Sequence, residues 1–168
     1  MDVIFNRRSV RRYQERIIEA EKIEQMLKAA MQAPSAGNQQ PWEFLVIQNT
    51  ETLNKLSQMS PFAKSVAHSP LVIILLANED RLKFPEYWEQ DLGAAAENIL
   101  IEAVTLELGA VWLGVAPLEE RMHFISELLE LEKGLKPFCV ISVGYPLEGH
   151  GNVFVDRYDP TRIHYEKY

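Results

Sequence analysis

The first strong pattern along the chain is a set of apolar residues at helical spacing between Glu21 and Ala33. Side chains three and four positions apart share one face of a helix, so this spacing predicts an amphipathic helix. Pro34 ends it, because proline donates no backbone hydrogen bond and clashes with the preceding turn. Residues 33–41 contain two prolines, a glycine and small polar side chains, which predicts an open loop. The apolar positions of the helix are Ile23, Met26, Leu27, Ala30 and Met31.

Four apolar runs have the length and composition of β-strands. The run from Leu71 to Ala77 contains no polar residue, which is typical of a strand covered on both faces. The sheet is therefore expected to lie between layers of helices. Thr50 is the predicted cap of a short helix that reaches Met59. The four predicted strands are residues 42–48, 71–77, 110–115 and 138–144.

A long helix is predicted between Pro85 and Leu108, and its apolar residues cover more than one face. Such a helix is either buried deep within the domain or packed against a partner, and the pattern leaves both explanations open. Gly109 is the predicted end of this helix. Apolar residues at helical spacing from Met122 to Leu129 predict a further helix.

The residues after Tyr145 and Pro146 are polar and aromatic, and they show no pattern that would give them a core of their own. We expect this tail to lie along another surface, for which a partner subunit is one candidate. The composition shows no shift, repeat or low-complexity tract, and 168 residues suit one ordinary domain. A single domain over residues 1–168 is therefore predicted.

Charge and composition argue against several classes of function. The net charge of −7 disfavours nucleic-acid binding, which needs an excess of lysine and arginine. The apolar runs are too short to cross a bilayer and the first residues do not resemble a signal peptide, so we expect a cytoplasmic protein with no membrane contact. One cysteine, Cys139, and four scattered histidines predict neither a disulfide nor a metal site. Cys139 is interpreted as a core residue.

The basic residues are concentrated near the start of the chain, where five of the 17 lie between Arg7 and Arg16. If this segment turned at a helix end, Arg7, Ser9 and Arg11 would converge on one anion, and a phosphate monoester would suit them. The alternative is a solvated basic face that pairs with the many glutamates of the chain.

The loop from Pro34 to Trp42 is a second candidate site, because its hydroxyl, amide and backbone groups suit the heteroatom edge of a planar ring. An ordinary connection from helix to strand, with Trp42 in the core, explains the same residues. No Gly-x-Gly-x-x-Gly sequence follows a strand, so a Rossmann nucleotide site is not expected. Residues 83–89 are interpreted either as a lid or as a packed aromatic segment.

Four segments resemble motifs of the nitroreductase family. RRSVRRY at residues 7–13 resembles the family's RRSxRxF/Y opening, and APSAGNQQPW at residues 33–42 resembles its APSxxNxQPW loop. GAVWLG at residues 109–114 is similar to the family strand that ends in WLG, and VGYP at residues 143–146 to its xGYP ending. The resemblance spans residues 5–146, and the order of the motifs makes it specific.

The resemblance implies an α+β sandwich, in which helices cover a mostly antiparallel central sheet, and an intertwined homodimer whose C-terminal tail lies along the partner. It also implies bound FMN. The first motif and the tail would hold the phosphate and ribityl oxygens. The strand of the same chain and the loop of the other subunit would line the flavin ring. A backbone N–H near Gly114 would face the flavin N5. The implied FMN contacts are Arg7, Arg8, Ser9, Arg11 and Arg157, then Leu113 and Gly114, with Pro34, Ser35, Ala36 and Asn38 supplied by the other subunit.

The activity implied by the resemblance is transfer of hydride from NADH or NADPH through the flavin to small organic acceptors, such as nitroaromatics and quinones, in a ping-pong cycle. The cofactor carries this chemistry, so no catalytic side chain is assigned. Three alternatives stay open: dehalogenation or flavin destruction at the same site, a flavin-binding module without turnover, and a protein that binds anions through its arginine segment.

Overall fold

The computed structural model describes residues 2–168, which form five α-helices, four β-strands and several short 3₁₀-helices. The strands are β1 (Trp42–Ile47), β2 (Leu71–Asn78), β3 (Gly109–Gly114) and β4 (Leu135–Gly144). The helices are α1 (Val3–Asn6), α2 (Ala20–Met31), α3 (Thr50–Leu56), α4 (Trp88–Thr105) and α5 (Glu119–Leu128). All four predicted strands and the predicted helices are present.

The strands form one sheet in the order β1-β2-β4-β3, and every neighbouring pair is antiparallel. β2 and β4 occupy the centre, and β3 forms one edge. β4 begins three residues before the predicted strand, at Leu135, and includes Pro137. A register shift between Leu75 and Leu76 of β2 lies beside this proline, and such irregularities accommodate a residue that cannot donate to the ladder.

The sheet is covered on both faces, as the apolar run of β2 predicted. Alternate side chains of a strand point to opposite faces. Leu71, Ile73 and Leu75 pack in a core with residues of α2 and α4. Val72 and Ile74 pack in a second core with residues of α3 and α5. The α+β sandwich expected from the sequence is therefore confirmed for this chain.

Helix α4 is buried by the chain's own elements. It contacts α1, α2 and all four strands. A few of its residues, such as Glu97, are exposed. Leu92, Ile99 and Ala103 are fully buried. The apolar girth of this helix is therefore explained by burial within the domain, the first of the two explanations left open by the sequence. The helix by itself does not require a partner.

Two predicted helix ends are wrong. Asn49, not Thr50, caps α3, because its side-chain oxygen accepts a hydrogen bond from the Thr52 N–H at 3.0 Å. Helix α4 ends at Thr105, before the predicted stop at Gly109, which is the first residue of β3. The glycine has a packing role instead: a Cβ there would lie 2.6 Å from the Val10 side chain.

The arginine-rich segment runs along the β3 edge of the sheet. The Val10 N–H donates to the Ala110 carbonyl at 3.0 Å, and a parallel bridge joins Ser9 to Ala110. Tyr13 anchors the end of the segment, because its buried hydroxyl lies 2.6 Å from the Val10 carbonyl oxygen and 3.0 Å from Ser142 Oγ. Burial raises the pKa of Tyr13 above its ordinary value. The backbone that presents the arginines is therefore fixed to the sheet.

The tail after Pro146 lies on the outside of the chain. Asn152 attaches its first part, since its amide donates to the Leu108 carbonyl at 2.9 Å and its oxygen accepts the Arg8 N–H at 3.0 Å. Beyond this point Phe154 and Tyr158 are 57% and 73% exposed. Across residues 2–168, no helix combines the length and apolar character needed to cross a membrane.

Candidate functional site

Arg7, Arg8 and Arg157 line one cavity of about 300 Å³ between the arginine segment and the tail. Arg7 is partly offset by Glu97, whose Oε1 lies 3.6 Å from the Arg7 Nε. The segment supplies two of the three cations and the tail supplies the third. The cavity is therefore closed only when residues from both ends of the chain fold together.

Arg8 is the unusual member of this group. Its Nε and Nη2 atoms are inaccessible to solvent and have no hydrogen-bond partner among the described residues. Desolvation, followed by the charges of Arg157 and Arg7, lowers the pKa of the Arg8 guanidinium from its usual value. Buried donors without acceptors are costly, and a guanidinium fork matches the oxygens of a phosphate. The three arginines favour an anion in this cavity, which the Asp156 carboxylate of the tail also lines.

Arg11 lies apart from these three arginines. It lines a second cavity, of about 510 Å³, with Leu113 and Gly114 at the end of β3. Leu113 is buried, while Gly114 is exposed, and a Cβ at Gly114 would meet no atom within 4 Å. A planar ring can therefore approach the backbone at this end of β3. Arg121 on α5 also borders the cavity and donates to the Gly114 carbonyl at 2.8 Å.

The loop from Pro34 to Gln40 has an unusual backbone conformation. Gly37, Asn38 and Gln40 all have positive φ, at 52°, 53° and 47°. Ser35 Oγ accepts the Gln40 N–H at 3.0 Å, so its hydroxyl stabilises the loop itself. Asn38 is exposed. The loop is thus a strained turn with the Asn38 side chain on its outer side, while Gln39 is buried.

The predicted site residues therefore form three groups in one chain. Arg7, Arg8 and Arg157 share one cavity, and Arg11, Leu113 and Gly114 share another, while Ser9 is exposed between them on the same segment. No residue from Pro34 to Asn38 lines either cavity. A larger hollow of about 830 Å³ lies elsewhere and contains none of these residues, so its size alone does not make it the site.

Sequence reasoning missed several residues that border the candidate site. Phe62 and Arg121 line the cavity of Arg11. Gln39 belongs to the quoted loop motif but was not assigned, and Asp91 lies far away in sequence. The signal that could have found Asp91 is a carboxylate on the inward, otherwise apolar face of helix α4, where it is 4% exposed.

Comparison with known proteins identifies the family. The sequence profile of the nitroreductase family matches residues 4–67 and 59–145. This chain belongs to the nitroreductase family. A protein of Archaeoglobus fulgidus, provisionally named NADH dehydrogenase/NAD(P)H nitroreductase, is 44% identical to it, with 100% of this chain and 98% of that protein covered.

Solved structures of similar proteins have the same fold. One from Clostridium acetobutylicum, provisionally named NADH oxidase, is 57% identical, with a TM-score of 0.97, and 99% of this chain and 100% of that chain are covered. An FMN-dependent nitroreductase from Clostridium difficile is 29% identical, with a TM-score of 0.90 and coverage of 99% and 98%. The family membership predicted from the four motifs is confirmed, and so is the prediction that this nitroreductase-family chain is an oxidoreductase.

Two further residue predictions concern chemistry outside this site. Cys139 is fully buried in β4, and burial raises the pKa of its thiol, which agrees with its interpretation as a core residue. Within residues 2–168, no group of three or more histidine, cysteine, aspartate or glutamate side chains is placed to hold a metal ion.

Proposed function

We propose that this protein is an FMN-dependent NAD(P)H oxidoreductase that acts as a homodimer and reduces small organic acceptors, such as nitroaromatics and quinones. The observation that carries the proposal is the Arg8 guanidinium, which has two buried donors without partners beside Arg7 and Arg157. The donor set fits a phosphate monoester, which is the anionic end of FMN.

The residues of the two cavities suit the two ends of the cofactor. Arg7, Arg8 and Arg157 would hold the phosphate, Ser9 lies on the segment between that cavity and the next, and Arg11 lines the second cavity. Leu113 and Gly114 would lie beside the flavin ring, where the space in front of Gly114 leaves the backbone accessible. When bound, FMN supplies a hydride acceptor at N5 and passes the electrons on. The donor and the acceptor would bind in turn at this open face, which gives ping-pong kinetics.

The loop from Pro34 to Asn38 would serve the flavin of the other subunit. Its residues line neither arginine cavity of their own chain, although the family motif places this loop beside the cofactor. The exposed apolar residues of the tail and of α1, including Phe5, Phe154 and Tyr158, support an association between chains, because such surface is costly to leave in water. Both observations favour a site that is shared between two subunits.

The function is tested by the colour and reducibility of the purified protein. We expect it to retain FMN, and we expect NADH or NADPH to bleach the flavin absorption under anaerobic conditions. A screen of dioxygen, a quinone and a nitroaromatic against the reduced protein then identifies the acceptor class; dioxygen is included because the Clostridium acetobutylicum relative carries the name NADH oxidase. If the protein does not bind added FMN, the whole proposal is contradicted. If it binds FMN but neither NADH nor NADPH reduces the flavin, the proposed oxidoreductase activity is contradicted.

Removal of residues 147–168 tests the contribution of the tail. We expect the truncated protein to associate weakly or precipitate and to lose most of its FMN, because the deletion removes Arg157 and the apolar residues that would cover a partner. Sedimentation velocity and flavin content measure the two effects. Removal of only residues 165–168 is the control, since it leaves Arg157, Phe154 and Tyr158 in place. A well-behaved monomer that keeps its flavin after the longer deletion would show that tail and partner play no part.

A further inference from the structure

A buried carboxylate holds the Pro34–Gln40 loop against helix α4. Asp91 lies in the first turn of α4 and is 4% exposed. Its Oδ1 accepts the Ala36 N–H at 2.8 Å, and its Oδ2 accepts a hydrogen bond from Gln39 Nε2 at 2.6 Å. A carboxylate buried in this way needs its donors, and the loop supplies both of them.

Gln39 connects the same loop to a third segment. Its side chain is also buried, and its Oε1 accepts the Phe84 N–H at 2.9 Å while its Nε2 lies 3.2 Å from the Phe84 carbonyl oxygen. The Phe84 ring covers Gly37 so closely that a Cβ on the glycine would clash with the ring. We call Gln39, Phe84 and Asp91 the loop clasp.

The loop clasp explains how the strained loop persists. Left-handed backbone at Asn38 and Gln40 is unfavourable for residues with a Cβ and requires support from the surrounding structure. The clasp provides that support from α4 and from Phe84. Residues 83–89, which the sequence left open as a lid or a packed segment, are thus attached to the loop at Phe84. Trp88 packs edge-on against Phe138, so this part of the segment is packed as well.

We propose that Asp91 and Gln39 are positioning residues, which hold Pro34, Ser35, Ala36 and Asn38 in the conformation that contacts the flavin. The flavin part of this inference rests on the proposed function. The polarity of the clasp is specific. The group at position 39 must offer an acceptor to the Phe84 N–H and a donor to Asp91, and the group at position 91 must accept from both donors. An amide at position 39 facing a carboxylate at position 91 meets these requirements, whereas two amides or two carboxylates do not.

An exchange of the two polar groups tests the clasp. Asp91→Asn turns a new amide toward the Gln39 Nε2, so two donors meet. Gln39→Glu places a second carboxylate beside Asp91, so two acceptors meet. In the double variant the amide at position 91 still accepts the Ala36 N–H and donates to the carboxylate at position 39, which accepts the Phe84 N–H. The donation to the Phe84 carbonyl, the longest bond of the clasp, is lost, and a carboxylate oxygen faces that carbonyl instead.

The first readout is amide hydrogen exchange in the FMN-free protein. We expect Asp91→Asn and Gln39→Glu to accelerate exchange of residues 34–41 by about tenfold or more, because a hydrogen bond to a charged group is lost and a buried donor or acceptor is left unpaired. The double variant should return exchange to within about threefold of the starting protein. Since no cofactor is present, this measurement tests the clasp whether or not the proposed function is correct.

The second readout is the affinity for FMN. Each single variant should raise the Kd by about tenfold, and the double variant should recover most of the loss. Asn98→Ala is the matched control, because it breaks a bond of 2.9 Å between α4 and the Ala29 carbonyl without touching the loop. It should lower the melting temperature while leaving loop exchange and FMN affinity unchanged.

Four results would overturn the inference. Loop exchange that is unaffected by Asp91→Asn shows that the carboxylate does not hold the loop. Equal losses in Asn98→Ala, or no recovery in the double variant, show a general loss of stability. Faster loop exchange with an unchanged Kd for FMN shows that the clasp shapes the loop but does not position it for the cofactor.

Discussion

Mixing two inactive variants will restore activity if each flavin site is built from two chains. One variant carries Arg8→Ala and Arg157→Ala, which remove two of the cations that share a cavity. The other carries Ser35→Ala and Asn38→Gly; glycine is chosen at 38 because it keeps the positive φ of 53° while removing the side chain. Each homodimer then has only damaged sites. In a mixed dimer, one site combines both damaged halves and the other combines both intact halves.

About half of normal activity per mixed dimer is therefore expected, since one of its two symmetric sites is whole. The two variants are unfolded and refolded together, and NADH oxidation with a quinone or nitroaromatic acceptor is measured. Differently tagged subunits and native mass spectrometry establish that exchange has taken place. If the arginines and the loop served the flavin of the same chain, every site in the mixture would contain one damaged group. No recovery after proven exchange would then refute the shared site and leave FMN binding itself untouched.

The arginine variant alone should bind FMN about a hundredfold more weakly, because it loses two charge-assisted contacts that are each worth roughly tenfold in affinity. Flavin fluorescence, titrated against protein, measures the dissociation constant. Affinity for riboflavin should change little, because riboflavin has no phosphate for Arg8 and Arg157 to bind. The loss should also be smaller in high salt, since screening weakens the contacts of the starting protein.

Arg12→Ala is the matched control for this prediction. Arg12 lies in the same segment and carries the same charge, but its exposed guanidinium lies near His150 and lines neither arginine cavity. Arg12→Ala removes one positive charge, as Arg8→Ala or Arg157→Ala does, and it should leave the FMN affinity nearly unchanged. An equal loss in this control would mean that overall charge, not the cavity, governs binding. If the variant with Arg8→Ala and Arg157→Ala binds FMN as tightly as the starting protein, these arginines do not hold the phosphate.

Local order in the sequence was sufficient to predict most elements of the fold. The spacing of Ile23, Met26 and Ala30 predicted α2, because the helical period decides which side chains share a face. The continuous apolar run of β2 predicted a sheet covered on both faces. The arginine motif and the Pro34–Trp42 loop were recognised as candidate sites because the residues of each one follow one another directly in the chain. The family followed from the order of the four motifs.

Element ends were harder to predict, because they depend on contacts from elsewhere. Asn49 and Thr50 both suit a helix cap, and only the folded backbone decides which side chain reaches the Thr52 N–H. Glycine is a residue type that often ends helices, but Gly109 is needed for its small size, because the Val10 side chain packs directly against its backbone. β4 extends through Pro137 because a register shift in β2 lies opposite, and nothing in the local sequence of β4 indicates that shift.

The grouping of the site residues was decided only by the tertiary structure. Arg7, Arg8 and Arg11 are neighbours in the sequence and were expected to act together, but the segment extends along β3 and directs them to different cavities. Arg157 joins Arg8 from the far end of the chain, and Asp91 joins the loop across more than fifty residues. The physical reason is that local patterns decide which backbone hydrogen bonds form, whereas buried polar groups must find partners that only the complete fold brings within reach.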